Sequence, residues 1–223
     1  MAQWLDVHPV NPQARLLKQA AETLRAGGVI VYPTDSCYAL GCHLGDKQAA
    51  DRLRRIRRFD KHHLFTIVCR DLSDIATFAR VDNTHFRLLK TLTPGPYTFV
   101  LRATQQAPRR LLHEKRKTIG LRVPDHRISQ DLLAVLEEPV LSCTLQWPGE
   151  ELPVQDPGSC REQLDSLVDL VIDGGDCGLE PTTVLDLTGD APELIRQGKG
   201  EVTGCLPIES RFRIPGVIQL NVE

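Results

Sequence analysis

Thr34, Asp35 and Ser36 stand directly behind the apolar run Val29-Ile30-Val31-Tyr32 and the strand-breaking Pro33. Small polar side chains at the carboxyl end of a strand are where an open α/β sheet usually meets its ligand. The format recurs in Leu121-Arg122-Val123-Pro124, in Leu141-Ser142-Cys143-Thr144-Leu145-Gln146 and in Pro181-Thr182-Thr183-Val184-Leu185-Asp186. The turn Thr93-Pro94-Gly95-Pro96-Tyr97-Thr98 joins them. A single such hydroxyl reads as a turn cap. Together they offer hydroxyls and a guanidinium to a polyanionic, polyhydroxylated ligand.

Two basic runs point the same way. Arg52, Arg54, Arg55, Arg57, Arg58 and Lys61 form the first, followed by His62 and His63; Arg109, Arg110, Lys115, Arg116 and Lys117 form the second. One run is equally a solvated helix face. Two runs in a chain of formal net charge −2 favour an anion such as a nucleotide, phosphate or RNA. His62 and His63 either donate to a phosphate or sit in a surface loop. Asp35 either orients a ligand amine or caps its turn. Trp4 and Trp147 either stack on bases or pack. Of the seven cysteines, Cys37 and Cys42 with His43 are conceivable metal ligands, but the odd count and the lack of C-x-x-C read as free thiols.

The elements that must position these groups alternate. Asn11 and Pro12 suit a helix start, Leu16, Leu17, Ala20, Ala21 and Leu24 follow at helical spacing, and Gly27-Gly28 ends it. After the Val29 strand, Asp46 caps a second helix with Ala49, Leu53 and Ile56 inward. Strand-like runs lie at 65–69, 97–101, 118–123, 140–145, 183–187 and 194–196, and one closes the 164–172 segment. Helical patterns lie at 72–78, 85–92 and 128–136. Interleaved strands and helices predict α/β layers about a mixed, twisted open sheet. The segment after Gly200 breaks every period and reads as an irregular tail over 201–223.

Several classes are disfavoured. No run of eighteen apolar residues exists, so no membrane span is expected. The amino terminus lacks a basic region before an apolar core, so a cytoplasmic location is the expectation. G-x-x-x-x-G-K-[ST], G-x-G-x-x-G and G-x-S-x-G are missing, so a nucleotide would need another cradle.

The order of motifs resembles the YrdC-like superfamily, whose best-known members are threonylcarbamoyl-AMP synthases. The matching pieces are Tyr32-Pro33-Thr34-Asp35, Pro94-Gly95-Pro96-Tyr97-Thr98, Leu121-Arg122-Val123-Pro124, the 141–149 stretch and Pro181-Thr182-Thr183-Val184. The resemblance covers a domain of about residues 12–200. Arg70-Asp71-Leu72 and the unbroken 114–120 segment look like the YciO branch.

The resemblance implies a twisted α/β sheet curled around a positively charged concave cleft. It implies ATP with a transient Mg²⁺, threonine and bicarbonate as ligands, with no tightly bound cofactor or metal. Its product would serve tRNA adenosine modification, and double-stranded RNA binding is attributed to the fold. By position, Thr34 would touch threonine or its carbamoyl product, with Asp35, Thr98 and Arg122 in the same pocket. Thr182 and Arg196 would lie near the nucleotide or the cleft rim.

The resemblance also exposes departures. Synthases of this kind carry Lys-x-Arg after the second helix and Ser-x-Asn after a later strand; here Arg57-Arg58-Phe59 and Thr144-Leu145-Gln146 stand there. Arg57, Thr144 and Gln146 are therefore the expected catalytic group. Arg57 keeps its charge as a planar fork rather than a compact ammonium. Gln146 moves an amide by one methylene, and a shift of about 1 Å can cost roughly a hundredfold in rate. Phe59 replaces a cation with a ring, and Arg58 or Lys61 are the nearest groups that could replace it. The pattern predicts a slow synthase, or a nucleotide- or RNA-binding paralogue without synthase activity.

Overall fold

Val29–Tyr32 is buried along its whole length. Its pleat sends alternate side chains to opposite faces, so Val29 and Val31 enter one apolar cluster while Ile30 and Tyr32 enter another. A strand covered on both faces needs this unbroken apolar run. In the computed structural model, which describes residues 1–60, 63, 65–113 and 115–202, it is the second strand of one mixed sheet.

The described residues form β1 (Gln3–Asp6), α1 (Ala14–Arg25), β2 (Val29–Tyr32), β3 (Ala39–His43), α2 (Lys47–Arg57), β4 (Thr66–Val68), α3 (Leu72–Phe78) and α4 (Asn83–Leu92). β5 (Tyr97–Arg102), β6 (Thr118–Arg122), α5 (Arg127–Leu136), β7 (Val140–Thr144), α6 (Arg161–Leu167), β8 (Leu170–Asp173), β9 (Thr183–Asp186) and β10 (Glu193–Arg196) follow. The strand order is β1-β8-β2-β3-β7-β4-β6-β5-β9-β10. Pairs β1/β8, β2/β8, β4/β6 and β5/β9 are parallel; β2/β3, β3/β7, β4/β7, β5/β6 and β9/β10 are antiparallel.

Local chemistry sets the helix ends. Asp46 accepts the Ala49 N–H at 2.9 Å and starts α2. Gly27, at φ +81°, lets the Gly28 N–H turn back to Thr23 O at 2.9 Å and ends α1. That helix starts at Ala14 rather than at Pro12, and its N-cap Gln13 makes no side-chain capping bond. The Gln13 amide oxygen instead accepts the His8 N–H at 3.1 Å.

Two strands were not foreseen. β1 pairs with β8 through Gln3↔Leu170 to Asp6↔Asp173, so the sheet begins ahead of residue 12. β3 reads Ala-Leu-Gly-Cys-His and lacks β-branched residues. Gly41 sits there because the Tyr32 ring and Val140 fill its space: an added Cβ would lie 2.8 Å from the Tyr32 ring and 2.9 Å from Val140. At the other end the chain stays packed through Val202, with Tyr97 Oη donating to Glu201 O at 2.8 Å. Most of the expected 201–223 tail lies outside the described residues.

The two faces of the sheet are covered unequally. α1 and α5 pack on each other over β8, β2 and β3, burying Leu17, Leu24, Leu132 and Leu136 against Ile30 and Leu170. Ser129 on α5 donates to Pro33 O at 2.5 Å and fixes that layer to the loop after β2. Over β4, β6, β5 and β9 the pleat continues without this cover.

Gly41→Ala should overpack the Tyr32 contact and destabilise the fold by about 1–3 kcal/mol. A thermal melt checks this; an unchanged midpoint would mean that the Tyr32 ring moves aside freely.

Candidate functional site

The uncovered part of the sheet is the floor of a cavity of about 410 Å³. Thr98 and Val100 of β5, Gly120 and Arg122 of β6, Thr66 and Val68 of β4, and Ser142 and Thr144 of β7 all line it. Each pair is spaced by two, as a pleat requires for one face. The intervening Phe99, Leu121 and Ile67 are fully buried in the core, while on β7 the intervening Cys143 also reaches the cavity lining. The site therefore extends from the strand ends that carry Thr34, Arg122 and Thr144 across the face of the sheet.

The loop after β2 makes one wall. Thr34 and Ser36 are buried and line the cavity. The Thr34 hydroxyl donates to Cys37 O at 2.6 Å and accepts the N–H groups of Ser36 at 3.2 Å and Cys37 at 3.3 Å. It thus spends its hydrogen bonds on shaping its own turn. Asp35 does not line the cavity. Its carboxylate takes the Arg122 guanidinium and the Asp125 N–H, the latter at 2.9 Å. Neither anticipated role, orienting a ligand amine or capping its own turn, is what the carboxylate does: it holds Arg122.

Arg122 is only 8% exposed. One arm meets Asp35, another donates to Ser36 Oγ at 3.3 Å, and Nε is buried with no partner among the described residues. Across the floor, the Thr98 and Thr182 hydroxyls lie 2.9 Å apart. Arg196 donates to Thr182 O at 2.9 Å and brings a second guanidinium to the rim.

Arg57, Thr144 and Gln146 reach the cavity together with Phe59. Arg57 donates to Gln146 Oε1 at 3.3 Å, and its guanidinium carbon lies 4.8 Å from the Phe59 ring centre. Burial lowers its pKa, and Nε is a second orphaned donor. Gln146 is anchored from the other end, its amide donating to Glu150 O at 2.7 Å and Glu151 O at 3.1 Å.

His63 also stands on this wall. Its ring stacks on Phe59 with centroids 3.4 Å apart and an interplanar angle of 13°. The surface-loop reading fails for His63, while His62 and Lys61 lie outside the described residues. Arg58 goes elsewhere. It ends α2 at φ +51°, a left-handed conformation that costs a residue with a Cβ about 1–2 kcal/mol. The turn closes through Phe59 N–H to Arg54 O at 3.0 Å, carrying Phe59 into the cavity and Arg58 to a separate one. Arg58 does not replace the missing cation.

Buried donors with spare N–H groups, a pair of facing hydroxyls and a bare glycine floor suit phosphate and hydroxyl groups. Thiol nucleophile chemistry does not fit. Burial pushes the Cys37 thiol up to about 11 and Cys143 up to about 12, so both stay protonated near neutrality. Cys37, Cys42 and His43 do not gather: among the described residues no three His, Cys, Asp or Glu side chains are placed to hold a metal ion.

A family model described as telomere recombination, covering Sua5, YciO and YrdC, matches residues 22–198. The chain belongs to the Sua5/YciO/YrdC family. The crystal structure of Escherichia coli YciO superposes with a TM-score of 0.87 at 54% identity, covering 91% of this chain and 98% of that one. A threonylcarbamoyl-AMP synthase of Chromobacterium violaceum is 31% identical over 80% of this chain and 92% of its own. The P. abyssi Sua5 structure complexed with L-threonine gives a TM-score of 0.80 at 25% identity, over 87% of this chain and 57% of that one. The mixed, twisted α/β sheet is thus the family's fold. No helix among the described residues is long and apolar enough to cross a membrane.

Burial first, and then Arg57 and Arg54, lower the His63 pKa. A lowered histidine pKa means that the unfolded chain binds the proton more readily. Its stabilising contribution is therefore complete above about pH 6.5 and is lost as pH falls toward the folded value. His63→Phe keeps a ring on Phe59 and should flatten the fall in melting temperature between neutral and mildly acidic pH. An identical pH profile would remove His63 as a cause.

Proposed function

We propose that the cavity performs nucleotidyl transfer from ATP to N-carbamoyl-threonine, as a slow threonylcarbamoyl-AMP synthase serving tRNA adenosine modification. The observation that carries this reading is convergence: all five motif segments meet around one cavity. The P. abyssi Sua5 complex with L-threonine and the named synthases among the relatives support the substrate class.

In this reading the threonine amine adds to bicarbonate-derived carbon dioxide and loses a proton. A carbamate oxygen then attacks the α-phosphorus of ATP, the α–β bridging P–O bond breaks, and pyrophosphate leaves. Charge grows on phosphate oxygens, so positioning and electrostatic stabilisation do most of the work. Arg122, fixed by Asp35, would offer its free Nε to the bound anion. Thr98, Thr182 and Arg196 would take the remaining phosphate or ribose oxygens. Arg57, Thr144 and Gln146 would act beside the transferring group. Mg²⁺ would arrive with the triphosphate and neutralise it; Glu151 is the sole carboxylate lining the cavity among the described residues.

Phe59 leaves the clamp one cation short, which costs on the order of a hundredfold to a thousandfold in rate. Pyrophosphate release with ATP, threonine and bicarbonate should be detectable at high enzyme concentration. Phe59→Arg, Thr144→Ser and Gln146→Asn combined should raise it by at least about tenfold. No turnover in either protein would overturn the proposal.

A floor substitution separates folding from binding. An added Cβ at Gly120 would lie no closer than 3.5 Å to its neighbours. Gly120→Ala should therefore keep or slightly raise stability, while its methyl weakens ATP and threonine binding measured by calorimetry. Unaltered binding would place the ligands elsewhere.

A second reading has its own observation. Arg57 is already engaged by Gln146 and Phe59, which suits a paralogue that grips a nucleotide or RNA without chemistry. RNA retention should then weaken steeply with salt as counterions are released; a flat salt dependence counts against it.

A further inference from the structure

The left-handed turn at Arg58 divides the arginines of α2 between two fronts. Arg57 faces the first cavity. Arg52, Arg55 and Arg58 line a second one of about 510 Å³, walled also by Trp147 after β7 and by Gln163 and Ser166 of α6. No carboxylate is among its lining residues. The two cavities are neighbours in the chain, since Gln146 and Trp147 serve one each, as do Arg57 and Arg58.

The three guanidinium groups are not equivalent. Arg52 is committed to Asp169 at 2.7 Å and to Leu167 O at 3.0 Å. Among the described residues Arg55 uses its Nε alone, on Asp51 O at 3.4 Å. Among the described residues the Arg58 guanidinium has no partner, although its backbone is held at φ +51°. Glycine is the residue that suits this position without strain. The two tryptophans differ in the same way. Trp4 is closed, with its indole N–H on Asp165 at 2.7 Å and Arg161 over its ring at 4.4 Å. Trp147 has no ring or cation partner among the described residues, and its side chain is half-buried.

A half-buried indole without a ring partner, beside the Arg58 guanidinium and the terminal nitrogens of Arg55, with no carboxylate in the wall among the described residues, matches a planar ring carrying an anion. We propose that this second cavity is a nucleotide site distinct from the first: a base stacks on Trp147, and its 5′-phosphate is held by Arg55 and Arg58. Stacking on an aromatic side chain tolerates any base, and the guanidinium fork fits phosphate oxygens. The chemistry is that of a nucleoside monophosphate, either free or within a single strand.

The full-length chain with Trp4→Phe leaves Trp147 as its one tryptophan. Its emission is titrated with AMP, adenosine, ribose 5-phosphate and single-stranded hexaadenylate. AMP should quench it, and adenosine and ribose 5-phosphate should each bind at least about tenfold more weakly. Tighter binding of hexaadenylate than of AMP, lost in the same variants, would assign the site to a strand; equal or weaker binding would assign it to the free nucleotide. Arg58→Gly relieves the backbone strain, so the melting temperature should hold or rise while AMP affinity falls about tenfold. Arg55→Gln should weaken AMP similarly, whereas Arg196→Gln, in the first cavity, should leave the quench intact. If Trp4→Phe fails to fold, the Trp147 indole N–H resonance of the unsubstituted protein reports the same titrations. No response to millimolar AMP or hexaadenylate, a response indifferent to Arg58→Gly and Arg55→Gln, or one abolished by Arg196→Gln would overturn the site.

Discussion

The ion pair between Asp35 and Arg122 is the contact on which the first cavity depends. Both side chains are nearly out of solvent, 7% and 9% exposed. Breaking a buried pair by removing one partner costs about 3–5 kcal/mol, because the other charge is stranded. Four parts of the chain meet here. The loop after β2 supplies Asp35, β6 supplies Arg122, the approach to α5 sends the Asp125 N–H to the carboxylate, and Lys199 reaches Asp35 O. The pair thus fixes the direction of Arg122 while leaving its Nε open. A ligand meeting that N–H finds it already oriented, which reduces the entropy lost on binding.

The floor obeys the same economy of position. A period of two places Thr66, Thr98, Gly120, Arg122, Ser142 and Thr144 on one face and large apolar residues on the other. The fully buried polar groups on that face are tied to partners. Tyr32 Oη donates to Ser142 Oγ at 2.8 Å, and Ser142 Oγ donates to Leu40 O at 3.0 Å. Burial leaves each such group with a large penalty if unpaired; among the described residues the Arg57 and Arg122 Nε atoms are unpaired in the cavity wall, and His85 Nε2 and His126 Nδ1 are unpaired away from it. The two in the wall are the strongest physical sign that a ligand belongs there.

These facts also show why part of the structure was legible in the sequence. Asp46, Gly27 and the β-branched Val29–Tyr32 act through neighbours a few residues away, so α1, α2 and β2 could be read locally. β3 could not, because its suitability comes from Tyr32 and Val140 closing over Gly41, a contact between strands. The site residues were found as hydroxyls after apolar runs, yet their placement on the sheet's face was hidden in the alternation itself. Asp35 announced a carboxylate but not its engagement with a guanidinium 87 residues away. The paths of His63 and Arg58 stayed open for one shared reason: the left-handed turn at Arg58 carries no glycine to reveal it.

That turn also relates three of the departures from the resembled motif, those at 57, 59 and 146, to one another. With Phe59 delivered into the cavity, a planar cation can lie against its ring, and arginine does so better than a compact ammonium. The longer side chain of Gln146 spans from Arg57 to the carbonyls of Glu150 and Glu151. Each departure from Lys-x-Arg and Ser-x-Asn therefore has a physical partner among the others, except Thr144, whose added methyl nothing in the structure explains. Restoring one position alone would strand its partner: a lysine at 57 would forfeit the planar stacking on Phe59, and an asparagine at 146 would shorten the span to Arg57. Coupled residues of this kind give non-additive free energies. The combined reversion is accordingly the informative experiment, and single reversions are expected to lose contacts before they gain a clamp.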